Sequence, residues 1–194
     1  MTYHGPGQLT VYPILSLERH KKDLHWYVHK IEDTVTAVLA RHGIPAAGDA
    51  ANPGVWVNDG SAKVAALGIK VRRWVTMHGF AVNVEPVALE GFHRIVPCGI
   101  KGKSVASLHG LLEQQREERV QYGAMAVAEA AAVRGTLPPP SGVSLEAVAD
   151  DIVAEFARVF NVQCVEDPAL TAFYDSDPTL MAFDSKQFGN QSKS

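Results

Sequence analysis

Trp74-Val75-Thr76-Met77-His78-Gly79-Phe80-Ala81-Val82-Asn83-Val84 is largely apolar on both of its alternating faces. Trp74, Thr76, His78, Phe80, Val82 and Val84 share one side; Val75, Met77, Gly79 and Ala81 share the other. A strand of this kind is covered above and below, so its expected place is the centre of a sheet. Just upstream, Lys63-Val64-Ala65-Ala66-Leu67-Gly68-Ile69 opens another apolar strand that runs to Val71, and the two segments read as a pair. Asn52-Pro53-Gly54 turns the chain into Val55-Trp56-Val57, and Asn58-Asp59-Gly60 turns it back toward Lys63, which predicts a hairpin.

Outward from this nucleus, Gly5-Pro6-Gly7 marks a turn into Gln8 to Leu17, a strand interrupted by Pro13. Leu24, Tyr27, Val28, Ile31, Val35, Val38 and Leu39 recur in steps of three and four, which predicts an amphipathic helix stopped near Gly43. Ser104 to Glu118 reads as helix, continued by the alanine-rich stretch to Arg134. Thr136 to Gly142 is a proline-rich linker. Ser144 caps a last helix whose apolar face carries Val148, Ile152, Phe156 and Phe160. The expected organisation is one folded domain over residues 1–165 and a disordered polar tail over 166–194.

Bulk composition removes several classes of function. A formal charge of −3 with scattered basic residues argues against general nucleic-acid binding. No apolar run reaches the roughly 18–20 residues that cross a bilayer. Two cysteines cannot build a disulfide framework, so a reducing compartment is expected. No Gly-rich phosphate loop is present, which weighs against a nucleotide cofactor. Met1 runs directly into the loop-like Thr2-Tyr3-His4-Gly5-Pro6-Gly7-Gln8 with no readable targeting peptide, and further residues are expected before it.

The chemistry concentrates in Ile95-Val96-Pro97-Cys98-Gly99-Ile100, followed by Lys101 and Lys103. A thiol is a nucleophile when ionised, and nearby cations favour the thiolate. Cys98 and Lys63 together suggest an acyl-transfer pair: the thiolate takes the acyl group from a thioester, an amine opens the acyl-enzyme, and the lysine accepts and returns protons. Cys98 as a structural thiol and Lys63 as a strand-edge lysine that discourages pairing are the plainer readings. His78 beside Gly79 is either a satisfied core histidine or part of a site, with Gly79 allowing close approach to the backbone. His4 is either an exposed loop residue or a substrate contact. His25 and His29 have the spacing of a helical metal pair, but Trp26 stands where a glutamate is needed, so no metal is expected. Cys164, in Val162-Gln163-Cys164-Val165, reads as a core filler in a strand-like run.

These residues resemble the lipoyl(octanoyl) transferase family. The resemblance rests on Thr2 to Gln8, Pro53-Gly54-Val55-Trp56-Val57, Lys63 to Gly68, His78 to Val84 and Ile95 to Ile100, in order and spacing from Met1 to about Leu112. It implies an α+β fold: a mixed, mostly antiparallel sheet flanked by helices, like the biotin and lipoate protein ligases and the class II synthetases, here lacking its N-terminal strands. It implies an octanoyltransferase domain over 1–165 in which Cys98 carries the acyl thioester while Lys63 lowers the cysteine pKa and shuttles protons. Thr2, Tyr3, His4, Ala66, Leu67, Gly68, Gly79, Phe80 and Ala81 would line the acyl pocket, with His78 at its border. No cofactor or metal is implied. The donor would be octanoyl-acyl carrier protein; the acceptors would be lipoyl domains of 2-oxoacid dehydrogenase complexes and the glycine cleavage H protein.

The chain also departs from the family. An Arg-Gly-Gly segment expected just before Thr2 is absent, and the stretches 115–135 and beyond 167 exceed the compact bacterial pattern. Such extensions suggest a eukaryotic, mitochondrial member; a bacterial one would be cytoplasmic. The rival readings are an ATP-dependent lipoate or biotin ligase, which needs no nucleophilic cysteine, and a non-catalytic remnant that binds carrier domains.

Overall fold

β5 (Val75–Asn83) lies between β1 (Gln8–Val11) and β4 (Ala62–Arg72) in a computed structural model that describes residues 4–94, 103–129, 143–165 and 167. Beyond β4 come β3 (Gly54–Val57) and β2 (Ala47–Gly48), so the sheet order is β1-β5-β4-β3-β2, all antiparallel. A two-residue strand, β6 (Ser104–Val105), runs parallel to β4 at Ala62 and Lys63. There β3 holds one side of β4, and β5 pairs with it only from Ala65 onward. β6 therefore occupies the side that β5 leaves vacant. The sheet is mixed and mostly antiparallel.

β5 is an interior strand, second in the order beside β1, while β4 holds the middle, so the expected central place is corrected to an interior one. Gly79 to Asn83 are all buried, whereas Val75 and His78 are exposed. Trp74 is not in the strand. With Arg73 it forms the two-residue turn between β4 and β5, and both residues have positive φ, 51° and 61°. A two-residue hairpin turn needs that backbone because its twist matches the flanking strands.

α1 (Leu24–Arg41) follows the predicted period. The Asp23 carboxylate accepts from the Trp26 N–H at 3.0 Å, capping the helix. That same bond, chiefly, lowers the Asp23 pKa below its usual value. Tyr27, Ile31, Val35, Val38 and Leu39 enter the core, and Gly43 takes the left-handed conformation just after the helix. α3 (Leu145–Phe160) is capped by Ser144, whose hydroxyl accepts from Ala147 N–H at 3.1 Å. It packs on α1 through Phe160, whose ring lies 5.9 Å from Trp26 and 6.0 Å from Tyr27. Asp151 of α3 meets Arg41 at 3.1 Å and His42 at 2.9 Å, securing the other end of the helix pair.

The expectation of helix from Ser104 is corrected. Ser104 and Val105 form β6; α2 (Leu108–Glu129) starts after Ser107, whose hydroxyl accepts from Gly110 N–H at 3.3 Å. Leu108 and Leu111 join the core formed by α1, α3 and one face of the sheet. Residues 1–162 make one compact unit and 163–194 a second. Cys164 belongs to the second and is exposed, outside any strand, which corrects its reading as a core filler. The 136–142 linker and nearly all of the tail lie outside the described residues.

Candidate active site

Lys63 owes its position to an irregularity in β4. Val55 pairs with Ala65 and Trp56 with Lys63, so Val64 is an extra residue opposite β3. Val64 and Ala65 are both fully buried in the core, whereas Lys63 lies outside the core cluster. Strict alternation would put Lys63 and Ala66 on opposite faces; the bulge puts them on the same one. Lys63 is only 8% exposed, between β3 and β6, so the strand-edge reading is set aside. Its ammonium donates to the Pro53 carbonyl at 3.0 Å and sits 4.6 Å from the Trp56 ring centroid.

The turn that receives this lysine is held from the other side by Glu32 of α1. Glu32 is 4% exposed; its Oε1 accepts from Gly54 N–H at 3.0 Å and its Oε2 lies 3.2 Å from His29 Nδ1. A Cβ on Gly48 would stand 2.6 Å from that Oε2, and one on Gly54 would stand 2.8 Å from the Ala65 carbonyl and 3.0 Å from Lys63 Cε. Gly54 also has φ +144°, a backbone that glycine adopts freely. Glu32 was not identified from sequence. The available signal was its place four residues after Val28 and three before Val35, within the apolar stripe of α1.

The two motifs expected to line a pocket are register partners. Ala66 faces Ala81, Leu67 faces Phe80 and Gly68 faces Gly79. Ala66 also pairs with Gly54, and Ala81 with Thr10. Thr10, Ala81, Ala66 and Gly54 thus form one row of small side chains across four strands, roughly 14 Å at the usual strand spacing. His4 closes the β1 end, its Nδ1 lying 3.4 Å from Thr10 Oγ1. Lys63 sits at the other end beside Gly54. Among the described residues, nothing lies within 4 Å of where a Gly68 side chain would begin.

Leu67 and Phe80 are on the opposite face. Phe80 is 2% exposed in the hydrophobic core and Leu67 packs against that core. Gly79 admits the chain's own backbone, because a Cβ there would collide with the Val11 carbonyl and Pro13. His78 has φ +59°, is exposed, and meets Tyr12 edge-on at 6.2 Å, past the last β1–β5 pair. It is not a core histidine. Thr2, Tyr3 and Cys98 lie outside the described residues.

A second cation adjoins the first. The Lys103 ammonium lies 4.0 Å from the Trp56 centroid and 3.4 Å from Asp49 Oδ2. Asp49 also accepts from Asn52 Nδ2 and Ala51 N–H, both at 2.9 Å. Chiefly the Asn52 bond, then Ala51 and Lys103, hold its pKa down at about 2. Trp56 donates its indole N–H to the Asn52 carbonyl at 2.9 Å, fixing the ring that both lysines cover. His29, the second of the spaced His25 and His29, lies with its Nδ1 3.2 Å from Glu32 Oε2.

The site is thus a buried lysine at the end of a small-residue row on one face of a largely antiparallel sheet, with the helical core against the other. The same fold occurs in the bipartite lipoate protein ligase of Thermoplasma acidophilum (TM-score 0.51, 14% identity, covering 98% of this chain and 68% of that one). The chain belongs to the lipoyl protein ligase A/B catalytic domain family, which it matches over residues 1–128. It is 45% identical to an octanoyltransferase of Gloeobacter violaceus over 172 residues, 89% of this chain and 63% of that protein. It is 50% identical to a chloroplastic octanoyltransferase of Arabidopsis thaliana over 114 residues, 58% of this chain and 40% of that protein. The chain therefore spans less than two thirds of these curated relatives.

Proposed function

We propose that this chain carries the acyl-transfer site of an octanoyltransferase acting in protein lipoylation. The observation that carries the reading is Lys63: a buried ammonium placed by a bulge at the end of the Thr10–Ala81–Ala66–Gly54 row. The small side chains leave room for an unbranched alkyl chain, and burial favours such a chain by about 0.8 kcal/mol per methylene. Leu67 and Phe80 form the backing of this face from the core side. His4 closes one end, and His78 and Gly79 border the row; Thr2 and Tyr3, outside the described residues, keep the acyl-contact role that the family resemblance implies.

In the first half-reaction the Cys98 thiolate attacks the carbonyl of an octanoyl thioester. A new C–S bond forms, the donor's C–S bond breaks, and the leaving thiolate takes a proton from the Lys63 ammonium. In the second, a neutral lysine amine on the acceptor attacks the enzyme thioester. The C–N bond forms, Cys98 leaves as thiolate, and the amine's surplus proton returns to Lys63. Lys103, five positions after Cys98, shares the Trp56 ring with Lys63, which supports a positively charged setting for a thiolate.

The donor in this reading is octanoyl-acyl carrier protein. The acceptors are lipoyl-carrying domains, including those of the 2-oxoacid dehydrogenases and the glycine cleavage H protein. An ATP-dependent ligase is the weaker reading, because the curated relatives at 45% and 50% identity are octanoyltransferases while the ligase of similar fold is 14% identical. The mitochondrial placement expected from the chain's extensions is not favoured either: the Arabidopsis thaliana relative is chloroplastic. Among the described residues no helix is long and apolar enough to cross a membrane.

Mass spectrometry after mixing the protein with octanoyl-acyl carrier protein, without ATP, tests the proposal. The expected result is one octanoyl group on Cys98, lost in Cys98→Ser. No adduct without ATP, together with adenylate formation when ATP is supplied, would establish the ligase; no adduct and no adenylate would overturn both enzyme readings and support the carrier-binding remnant.

A further inference from the structure

Glu32 and Lys63 bind opposite ends of the same peptide unit. The carbonyl of Pro53 accepts from Lys63 Nζ at 3.0 Å, and the N–H of Gly54, across the same C–N bond, donates to Glu32 Oε1 at 3.0 Å. We propose that Glu32 is a positioning residue that sets the Lys63 ammonium through the Pro53–Gly54 peptide. The inference rests on Lys63 acting in acyl transfer.

Three observations support it. A peptide unit is planar, so fixing the direction of its N–H also fixes the direction of its C=O. Gly54, at φ +144°, has no Cβ to restrict how that plane is turned, so the backbone alone does not select the orientation that Lys63 needs. Glu32 is the acceptor bonded to the Gly54 N–H, and that bond favours one orientation of the plane. Finally, Glu32 is 4% exposed although it is an acid on a helix. Gly48 leaves the space for its Oε2, and His29 bonds that oxygen from the same helix. A buried carboxylate without partners is costly. This one is partnered, and one of its two oxygens is committed to the backbone beside the lysine.

The arrangement also makes Lys63's tether rigid. Lysine has three rotatable donors on a flexible stem, and here one of them has an acceptor whose direction is set from α1. The Pro53–Gly54 plane, Trp56 and the β4 bulge together restrict where the ammonium can go.

Two measurements on the 194-residue chain test this. The first does not involve turnover: the rate at which acetic anhydride modifies Lys63, followed by peptide mass spectrometry. Glu32→Ala should raise it about tenfold, the effect of losing roughly 1.4 kcal/mol of restraint. Glu32→Gln retains an acceptor oxygen at the same reach and should stay within about threefold of the parent. An unchanged rate in Glu32→Ala would overturn the clamp. If Glu32→Ala does not fold, Glu32→Asp carries the same test, because its carboxylate is one methylene too short for Gly54.

The second measurement is a double-mutant cycle on single-turnover acylation. Acting through Lys63, Glu32→Ala should slow acylation about tenfold in the parent and have no further effect in Lys63→Ala. A merely structural contribution would slow both backgrounds equally and overturn the inference. If Lys63→Ala itself acylates at the parental rate, the functional reading fails while the labelling result still decides the clamp. If Lys63→Ala is slow and Glu32→Ala is not, only the positioning role fails.

Discussion

The ammonium groups of Lys63 and Lys103 lie over one indole, that of Trp56, at 4.6 and 4.0 Å from its centroid. Two like charges would ordinarily separate. The ring attracts both, at about 0.5–2 kcal/mol each, and Asp49 anchors the second. A thiolate formed nearby would meet two fixed cations rather than one. Lys103→Ala should therefore slow alkylation of Cys98 by iodoacetamide at neutral pH about threefold, and Lys63→Ala about tenfold, because losing a nearby cation makes the thiolate harder to form. Equal rates in all three proteins would show that neither cation acts on the thiol.

Asp49 ties the turn before Pro53 to the strand that follows the cysteine motif. Its pKa, held at about 2 against an ordinary 3.8, gives the link a definite acid limit. The folded-state value is the lower one, so the contribution is complete above the unfolded value. It is lost as pH falls from about 4 toward about 2. The thermal midpoint of the parent protein should fall over that window more than that of Asp49→Asn, which has no carboxylate to titrate. Parallel curves for the two proteins would remove Asp49 from the account of acid sensitivity.

Gly54 lies between the Ala65 carbonyl and the Lys63 side chain, and its φ of +144° is closed to other residues. Gly54→Ala should cost about 1–3 kcal/mol in backbone strain and displace Lys63, lowering acylation per folded molecule. Gly43 is the control. It also has positive φ, +72°, but among the described residues no atom lies within 4 Å of the added Cβ. Gly43→Ala should cost about 1–2 kcal/mol and leave acylation per folded molecule unchanged. Denaturant unfolding paired with single-turnover rates separates the two effects.

Much of the scaffold is legible because it depends on local periodicity. α1 follows from its apolar steps and Gly43, the β3–β4 hairpin from Asn58-Asp59-Gly60, and the interior place of β5 from its two apolar faces. The misses have physical reasons. Arg73-Trp74 forms a positive-φ turn without the Gly or Asn that would advertise it. β6 is two residues long and is held by Lys63 and Ser61 from elsewhere in the chain, so nothing local distinguishes it from the start of a helix. The bulge at Val64 is silent because Val64, Ala65 and Ala66 suit either face of a strand. That single extra residue decides that Lys63 shares a face with Ala66 and Gly68 while Leu67 goes to the core. The motifs expected to line a pocket are legible as segments; their division between faces is not. Glu32 was missed because one acid on an amphipathic helix ordinarily faces solvent.

Ala66 is the residue through which the small-side-chain row should determine acyl length. It lies between Ala81 and Gly54 in that row and is exposed among the described residues, so a larger side chain can be added without disturbing the core behind it. Ala66→Leu would occupy part of the space proposed for the alkyl chain, near the Lys63 end. Stability should change by no more than about 0.5 kcal/mol, as for other surface substitutions. Acylation should shift toward shorter donors: each methylene excluded from the row forgoes about 0.8 kcal/mol, or roughly fourfold in rate. With hexanoyl- and octanoyl-carrier donors in parallel, the ratio of single-turnover rates should move toward hexanoyl by about tenfold. Leu67→Ala is the contrasting variant: it opens the core face, so it should lower stability by about 2–3 kcal/mol without inverting chain-length preference. Should Ala66→Leu keep the parental ratio, the alkyl chain does not lie along this row, and the pocket must be sought on another part of the sheet.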